Sequence, residues 1–303
     1  MTTTTRTSAV IETLARGYRL LLLVLSLPVI LGEYFHRETG AEYGVGFVEK
    51  CVLAAKMLRN NLSISTGSTF VEHLVIATKI LRTPRRVEGS VVECGCYKGG
   101  STANLSLVAS LCDRELDVFD SFEGMPEPSE RDAEHVLVAS EEVHSYAAGS
   151  WQAGLDEVRG NVHRFGDLSV CRFHEGYFDE TMPEFDRPVA AVFLDVGLRD
   201  SAETAVEHLW PLLGRGSYLF THDVKHMEIA TLFFDADWWR AHLDREPPGL
   251  VGAGNGLGLH PQHNGFASLL GYIVKDPDSL AYEVVEETGA GRNAPNVSLA
   301  ADD

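Results

Sequence analysis

The sequence is poor in basic residues and has no cysteine pair at the spacing of a zinc or redox motif. It carries 25 Lys and Arg against 44 Asp and Glu, which gives a formal net charge of −19. A surface of this sign repels phosphate backbones, so the composition argues against nucleic-acid binding. The 5 cysteines are odd in number and include no C-x-x-C. This argues against a disulfide framework and indicates a reducing, cytoplasmic setting.

The sequence also lacks an apolar run of transmembrane length. Leu20–Leu31 is predominantly apolar over 12 residues, whereas a helix that spans a bilayer needs about 20. Gly32–Phe35 offers no small-x-small cleavage site, which disfavours a signal peptide. We expect an apolar helix near residues 12–35 that packs on the body of the protein, on a partner subunit or on a substrate. Peripheral membrane contact is the alternative.

The 303 residues divide into three segments by pattern. Residues 1–82 read as a disordered lead and a helical cap, and residues 286–303 read as a flexible tail. Between them, residues 83–285 alternate short buried strands with helices, which predicts one α/β domain with a parallel sheet covered on both faces. The predicted strands are Ser90–Cys94, Leu116–Phe119, Cys171–His174, Ala190–Leu194, Ser217–Thr221 and Leu269–Val274.

The strongest local motif is the glycine-rich segment Glu93–Ser101, between a predicted strand and a helix for which Ser101 is the expected N-cap. A ligand at this place meets free N–H groups at the positive end of the helix, and glycines let the main chain approach it closely. Asp120 closes the next strand, where an acid can accept hydrogen bonds from ribose hydroxyls. Glu93 disfavours a diphosphate and suits a cationic cofactor such as S-adenosylmethionine (SAM). A tight turn without a ligand is the alternative.

Several motifs in order resemble the macrocin O-methyltransferase (TylF-like) family. The resemblance runs from about residue 60 to about residue 245 and includes residues 91–101, 119–126 and 193–195. It implies a Rossmann-like class I SAM-dependent methyltransferase fold, with a mostly parallel seven-stranded sheet and an antiparallel last strand. It also implies SAM as cofactor and an O-methyltransferase that modifies a hydroxyl of a small molecule, a sugar or a phenol of bacterial secondary metabolism.

The same resemblance assigns residues to the cofactor. It implies that the methionine end of SAM is lined by Glu93, Gly95, Tyr97, Gly99, Gly100 and Ser101. It implies that the ribose and adenine are held by Asp120, Ser121 and Phe122.

The sequence departs from the family where a divalent metal is often bound. The family carries Asp-x-Asp-Leu-Tyr where this chain has Asp195–Arg199, with Gly197 in place of the second acid. An Asp-Asp pair of the family is replaced by His222 and Asp223. Asp195, His222 and Asp223 remain three candidate ligands for Mg²⁺ or Mn²⁺, and one imidazole among oxygens favours Mn²⁺, Fe²⁺ or Zn²⁺ over Mg²⁺. In the alternative, no metal binds and His222 orients a substrate.

Three side chains are candidates for the group that removes the proton of the acceptor: His144, His222 and Asp195. His144 lies in a segment expected at the carboxyl edge of the sheet, but the neighbouring acids Glu141 and Glu142 handicap it as a base. Asp195 is a site residue by position, because the end of a buried strand is a costly place for an unused carboxylate.

Other functions stay open on the sequence. The chain could bind SAM and catalyse a reaction other than methylation, such as a cyclisation. It could be a non-catalytic protein that contacts a partner through Leu20–Leu31, while the glycine spacing disfavours an NAD-type protein. We expect a homo-oligomer. The glycine-rich segment Gly252–Gly258 is interpreted as a lid or loop, since no clear strand precedes it.

Overall fold

The structure is a computed structural model that describes residues 17, 21, 27–136, 143–224, 226–250 and 270–276. Its helices are α1 (residues 27–34), α2 (Phe47–Ser63), α3 (Phe70–Arg82), α4 (Gly100–Leu111), α5 (Leu155–Phe165), α6 (Phe178–Thr181), α7 (Arg199–Leu212), α8 (Met227–Leu232) and α9 (Ala236–Leu243). Its strands are β1 (Ser90–Cys94), β2 (Leu116–Asp120), β3 (His135–Val136), β4 (Val143–His144), β5 (Cys171–Glu175), β6 (Val189–Leu194), β7 (Leu213–Thr221) and β8 (Gly271–Val274).

The main sheet has the strand order β5-β2-β1-β6-β7-β8. Every neighbouring pair is parallel except β7 and β8, which are antiparallel. The predicted α/β fold with an antiparallel last strand is therefore confirmed. The predicted number of seven strands is not: the described residues contribute six to this sheet, while β3 and β4 pair separately as a short antiparallel ribbon.

Helices cover both faces of the sheet, as its sequence pattern requires. The central strands β1 and β6 are buried at every residue, because a parallel sheet between two helical layers has no face in water. One core cluster joins the sheet to α2–α5 through residues such as Leu53, Leu74 and Leu105. The other joins it to α7–α9 through residues such as Leu209 and Trp239.

The chain order of the strands reverses between β1 and β6. In open parallel sheets, ligands bind outside the carboxyl ends of the strands at such a reversal. The residues that follow these ends here are Gly95 after β1, Asp195 after β6 and His222 after β7, with Asp120 at the end of β2. The topology therefore brings the predicted site residues to one edge of the sheet.

Three local predictions need correction. Helix α4 begins at Gly100 with Gly99 as its N-cap rather than Ser101, because Gly99 takes the left-handed conformation (φ 77°) that ends the turn. Gly214 and Gly216 predict a turn before the strand at Ser217, but strand β7 runs through residues 214–216, with a register irregularity opposite Val189. The apolar pattern of Ile229–Leu243 predicts one helix, but the structure has two, since Asp235 accepts a hydrogen bond from the amide of Trp238 and starts α9.

The described end of the N-terminal apolar segment packs on the protein body. Ile30 and Tyr34 of α1 are buried in the first core cluster, and the Tyr34 hydroxyl donates to the carbonyl of Lys50 at 2.9 Å. Among the described helices, none combines the length and the apolarity that crossing a bilayer demands. The glycine-rich segment Gly252–Gly258 lies outside the described residues.

Candidate active site

A cavity of about 500 Å³ opens at the carboxyl ends of β1, β2, β6 and β7. This volume lies in the usual range of small-molecule and cofactor sites. The predicted residues that line it are Gly95, Tyr97, Ser101, Asp120, Ser121, Asp195, His222 and Asp223. The wall also includes residues that the sequence did not single out, among them Thr66, Met125, Tyr146, Trp151 and Tyr177.

The turn after β1 depends on a glycine. Gly95 has a φ of +84°, and a Cβ atom built there would lie 2.1 Å from the carbonyl oxygen of Asp195. Only a residue without a side chain lets the end of β1 lie this close to the end of β6. The turn consequently holds Asp195 directly beside the entrance to α4.

Asp120 fixes this turn to the end of β2. Its Oδ2 accepts a hydrogen bond from the amide of Cys96 at 2.7 Å, and its Oδ1 accepts one from the amide of Phe122 at 2.7 Å. A carboxylate has about four lone-pair sites, so both oxygens keep acceptor capacity toward the cavity. Asp120 therefore fits the predicted role of ribose ligand while it also shapes the loop.

Glu93 lies behind the cavity wall and is fully buried. The hydroxyls of Ser101 and Thr102 lie beside it, but neither carboxyl oxygen makes a hydrogen bond of normal geometry within the described residues. Burial raises the pKa of Glu93 to about 8, and the charges of Asp195 and Asp120 act in the same direction. An unsatisfied buried carboxyl group is costly unless another polar or charged group compensates it.

His222 is held between two carboxylates. Its Nε2 lies 3.2 Å from Oε2 of Glu72 on α3, and its Nδ1 lies 3.3 Å from Oδ1 of Asp195. Burial alone would lower the pKa of His222, but the charges and hydrogen bonds of Asp195 and Glu72 raise it well above its ordinary value. Burial would likewise raise the pKa of Glu72, but His222 and Thr69 lower it. The imidazole is therefore a positively charged link between α3 and β6.

Asp223 anchors the loop after β6. Its Oδ2 accepts hydrogen bonds from the amides of Val196 at 2.9 Å and Gly197 at 3.0 Å. Its Oδ1 lies 3.6 Å from Nδ1 of His226, whose Nε2 is 3.4 Å from the hydroxyl of Tyr146. Burial and the nearby acids raise the pKa of Tyr146, so the phenol stays protonated. Asp223 thus stabilises the conformation of the loop after β6.

Gly197 occupies the position of the second acid in the Asp-x-Asp motif of the family that the sequence resembles. It has a φ of +71°, and a Cβ atom there would lie 2.4 Å from Cε of Met125 and 3.3 Å from the ring of Tyr146. The space beside this position is therefore taken by an apolar methyl group and an aromatic ring. The cavity wall beside Gly197 is therefore apolar.

The predicted metal site is not supported. The described part of the chain contains no group of three or more His, Cys, Asp and Glu side chains placed to hold a metal ion. Of the three candidate ligands, His222 has both ring nitrogens directed at carboxylates, and Asp223 spends one oxygen on two main-chain amides. These internal contacts explain why Asp195, His222 and Asp223 do not form a ligand set.

The remaining predicted residues lie around the cavity rather than in its wall. Glu93, Gly99, Gly100 and Phe122 are buried and are not among the residues that line the cavity. His144 belongs to the short strand β4, and its side chain lies outside the described part of the structure. Its predicted role as a base stays a prediction.

Comparison with solved structures finds methyltransferases among the similar chains. NovP is 20% identical, with a TM-score of 0.51 over 69% of this chain and 83% of that chain. CalS11, a calicheamicin methyltransferase, is 16% identical, with a TM-score of 0.45 over 75% and 92%. A putative O-methyltransferase from Klebsiella pneumoniae is 12% identical, with a TM-score of 0.45 over 74% and 90%. At this identity, the likeness to NovP shows the class I methyltransferase fold alone.

The sequence comparison is more specific. A search of curated proteins gives no match. The profile of the family described as macrocin-O-methyltransferase (TylF) matches residues 62–243, which is more than half of the chain and covers α3, β1–β7 and the cavity wall. The chain therefore belongs to the macrocin O-methyltransferase family of SAM-dependent O-methyltransferases.

Proposed function

We propose that this protein transfers the methyl group of SAM to a hydroxyl of a small molecule, a sugar or a phenol of bacterial secondary metabolism. The observation that carries the proposal is the position of Asp195. The main-chain carbonyl of Asp195 lies against the glycine turn at Gly95. Its side chain lines the same cavity as Asp120 and contacts the charged imidazole of His222. One cavity thus combines a nucleoside cradle with a carboxylate held in place for an acceptor.

The residues of the cradle fit SAM, which carries a sulfonium and an ammonium group. The buried carboxyl of Glu93 lacks a hydrogen bond of normal geometry among the described residues, and a nearby cation would favour its ionised form. Asp120 and Ser121 line the cavity on the side of β2, where acids of such folds hold ribose hydroxyls. When bound, SAM supplies an electrophilic methyl group.

Asp195 is the group that we assign to the acceptor hydroxyl. Its Oδ1 faces His222, while its side chain is 26% exposed and lines the cavity. It can therefore accept the hydrogen bond of the acceptor and take its proton as oxygen becomes nucleophilic, a contribution that is typically 10²–10⁴-fold. His222 itself is not a base, because it is already protonated. It fixes the position of Asp195 and balances its charge.

Tyr146 and Trp151 orient the acceptor because they form an aromatic part of the cavity wall. Both line the cavity, and Tyr146 is held against Gly197 and His226. A fixed aromatic wall orients a sugar or phenol ring, and alignment of the reactants can supply about 7–11 kcal/mol of the barrier reduction. The larger share of the rate enhancement thus comes from positioning.

Calorimetry tests the cofactor assignment. We expect saturable heat when SAM or S-adenosylhomocysteine is titrated into the full chain, and none with NAD⁺, which serves as the control. Replacement Asp120→Ala should weaken SAM binding about tenfold or more, or about 1.4 kcal/mol, because ribose loses a charged acceptor. Absence of heat with SAM would overturn the proposal.

Turnover tests the acceptor side. A panel of hydroxylated sugars and phenols is incubated with methyl-labelled SAM, and product and S-adenosylhomocysteine are measured together. We expect Asp195→Asn to lower kcat by about 10²–10⁴-fold with SAM binding retained. Asp186→Asn, at an exposed surface acid, is the matched control. An unchanged rate in Asp195→Asn would remove this residue from the mechanism, and product without S-adenosylhomocysteine would indicate another reaction.

A further inference from the structure

The exposed face of α2 carries an apolar seam that the active site does not use. Of the ten large apolar side chains exposed in the described residues, five lie on this one helix. They are Phe47, Val48, Val52, Leu58 and Leu62, with exposed fractions from 44% to 81%. A monomer rarely leaves such a run of apolar side chains in water without a binding role.

The spacing along this face is that of a helix which packs against another helix. Val48, Cys51, Ala55, Leu58 and Leu62 follow one another at intervals of three and four residues, and all five are exposed. The opposite face of the same helix already packs on the protein body, since Leu53, Met57 and Asn60 are buried there. The helix thus has a second apolar face that nothing in the described chain covers.

We propose that this seam is the contact surface of a homodimer, in which α2 pairs with α2 of a second copy across a two-fold axis beside Ala55. Such an axis places Val48 opposite Leu62 of the second copy, and Val52 opposite Leu58 of the second copy. The small side chain of Ala55 meets its own equivalent at the centre, which lets the two helices approach closely. The seam is therefore self-complementary, as a two-fold interface requires.

The charges on the helix favour the same arrangement. Glu49 lies near its start, and Lys56 and Arg59 lie in its second half, and all three are exposed. An antiparallel pair brings Glu49 of each copy to the half that carries the two cations in the other. Opposite charges then flank the apolar seam at both ends, and the two helix dipoles oppose each other favourably.

A bilayer is the less suitable occupant. The chain has a net charge of −19, which repels anionic lipid headgroups.

A standard protein interface uses about 20–30 residues a side, whereas α2 has 17 residues in all. We therefore expect a weak dimer that dissociates on dilution.

Sedimentation equilibrium of the full chain over a range of concentrations tests the proposal. We expect a reversible monomer–dimer equilibrium in the wild type, and at least a roughly tenfold weaker dimer in Leu62→Glu, because the variant places a charge in the seam. Phe234→Glu is the matched control, since Phe234 is 60% exposed but lies outside α2. It should dimerise like the wild type.

Cross-linking tests the position of the axis. In a Cys51→Ser background, Ala55→Cys should form a disulfide-linked dimer on mild oxidation, whereas Glu207→Cys, at an exposed site on α7, should not. A chain that stays monomeric at all concentrations overturns the proposal. So does dimerisation that Leu62→Glu and Phe234→Glu affect equally. Binding to phosphatidylcholine–phosphatidylglycerol vesicles by a chain that does not dimerise also overturns it, in favour of a membrane surface.

Discussion

At the scale of single residues, the site is dominated by carboxyl groups whose charges are set by what surrounds them. Glu72 and Asp195 share one imidazolium, and Asp120 and Asp223 each hold two main-chain amides. Glu93 has neither kind of partner of normal geometry among the described residues. Its protonation is therefore sensitive to pH and to a nearby cation.

Glu93 gives a prediction for the pH dependence of stability. Its pKa rises from about 4.5 in the unfolded chain to about 8 in the folded one, so the folded state binds the extra proton between these values. The contribution of this raised pKa to folding stability is complete below pH 4.5 and is lost as pH rises to about 8. Across this window, we expect the unfolding free energy of the wild type to fall, relative to Glu93→Gln, by a few kcal/mol.

Urea denaturation at a series of pH values measures this difference. Glu88→Gln is the matched control, because Glu88 is exposed; it should follow the wild type at every pH. Parallel stability curves for the wild type and Glu93→Gln would contradict the assignment of a buried neutral carboxyl.

The identities of these residues were largely readable from the sequence, but their partners were not. Asp120 and Asp195 follow buried strands, so their place at the sheet edge could be predicted. The contact between His222 and Glu72 joins residues 150 positions apart. No local pattern encodes such a pairing, so the sequence leaves His222 as a candidate metal ligand, substrate-orienting residue or base.

At the scale of secondary-structure elements, the turn between β1 and α4 is the part that tolerates least change. Gly95→Ala combines a strained φ of +84° with a contact of 2.1 Å to a main-chain oxygen. Gly44→Ala is the matched control, because Gly44 has a φ of +71° and nothing within 4 Å of the added atom. The comparison separates backbone strain from the collision.

We expect Gly44→Ala to cost about 1 kcal/mol of stability and Gly95→Ala at least about 2 kcal/mol more, because β1 and β6 must separate. SAM binding should be lost only in Gly95→Ala. Thermal and chemical denaturation measure the first effect, and calorimetry with SAM measures the second. Equal costs at the two positions would show that β1 and β6 do not meet as closely as described.

The elements themselves were predictable where burial alone decides them. Strand β1 has the predicted bounds Ser90–Cys94, because a short apolar run between turns has few alternatives. The break between α8 and α9 was not predicted, since a capping Asp235 can lie within an apolar pattern of helical period. Asp235 caps α9, and Trp239 ties α9 to the second core cluster and donates its indole N–H to the carbonyl of Leu232 at 2.8 Å.

At the scale of the whole molecule, the excess of acids predicts a response to salt. A net charge of −19 destabilises a compact state through self-repulsion, and the Debye length falls from about 30 Å at 0.01 M salt to about 8 Å at 0.15 M. We expect the melting temperature to rise by a few °C over this range, which corresponds to a gain of roughly 1 kcal/mol in the free energy of unfolding.

Differential scanning calorimetry at constant pH in NaCl measures the shift. Sucrose at matched osmolality is the control for effects of a non-ionic cosolute. A melting temperature that falls with NaCl would mean that favourable ion pairs outweigh the repulsion among the excess acids.

The contact between His222 and Glu72 limits how far the chain can be truncated from its N-terminal end. Glu72 belongs to α3, which precedes every strand of the sheet, yet its carboxylate contacts the imidazole of His222, which also contacts Asp195. A fragment that starts at residue 83 would keep the six strands and lose half of this support. Under the proposed mechanism, the shortest active fragment therefore begins upstream of Thr69, whose amide and hydroxyl both donate hydrogen bonds to the Glu72 carboxylate.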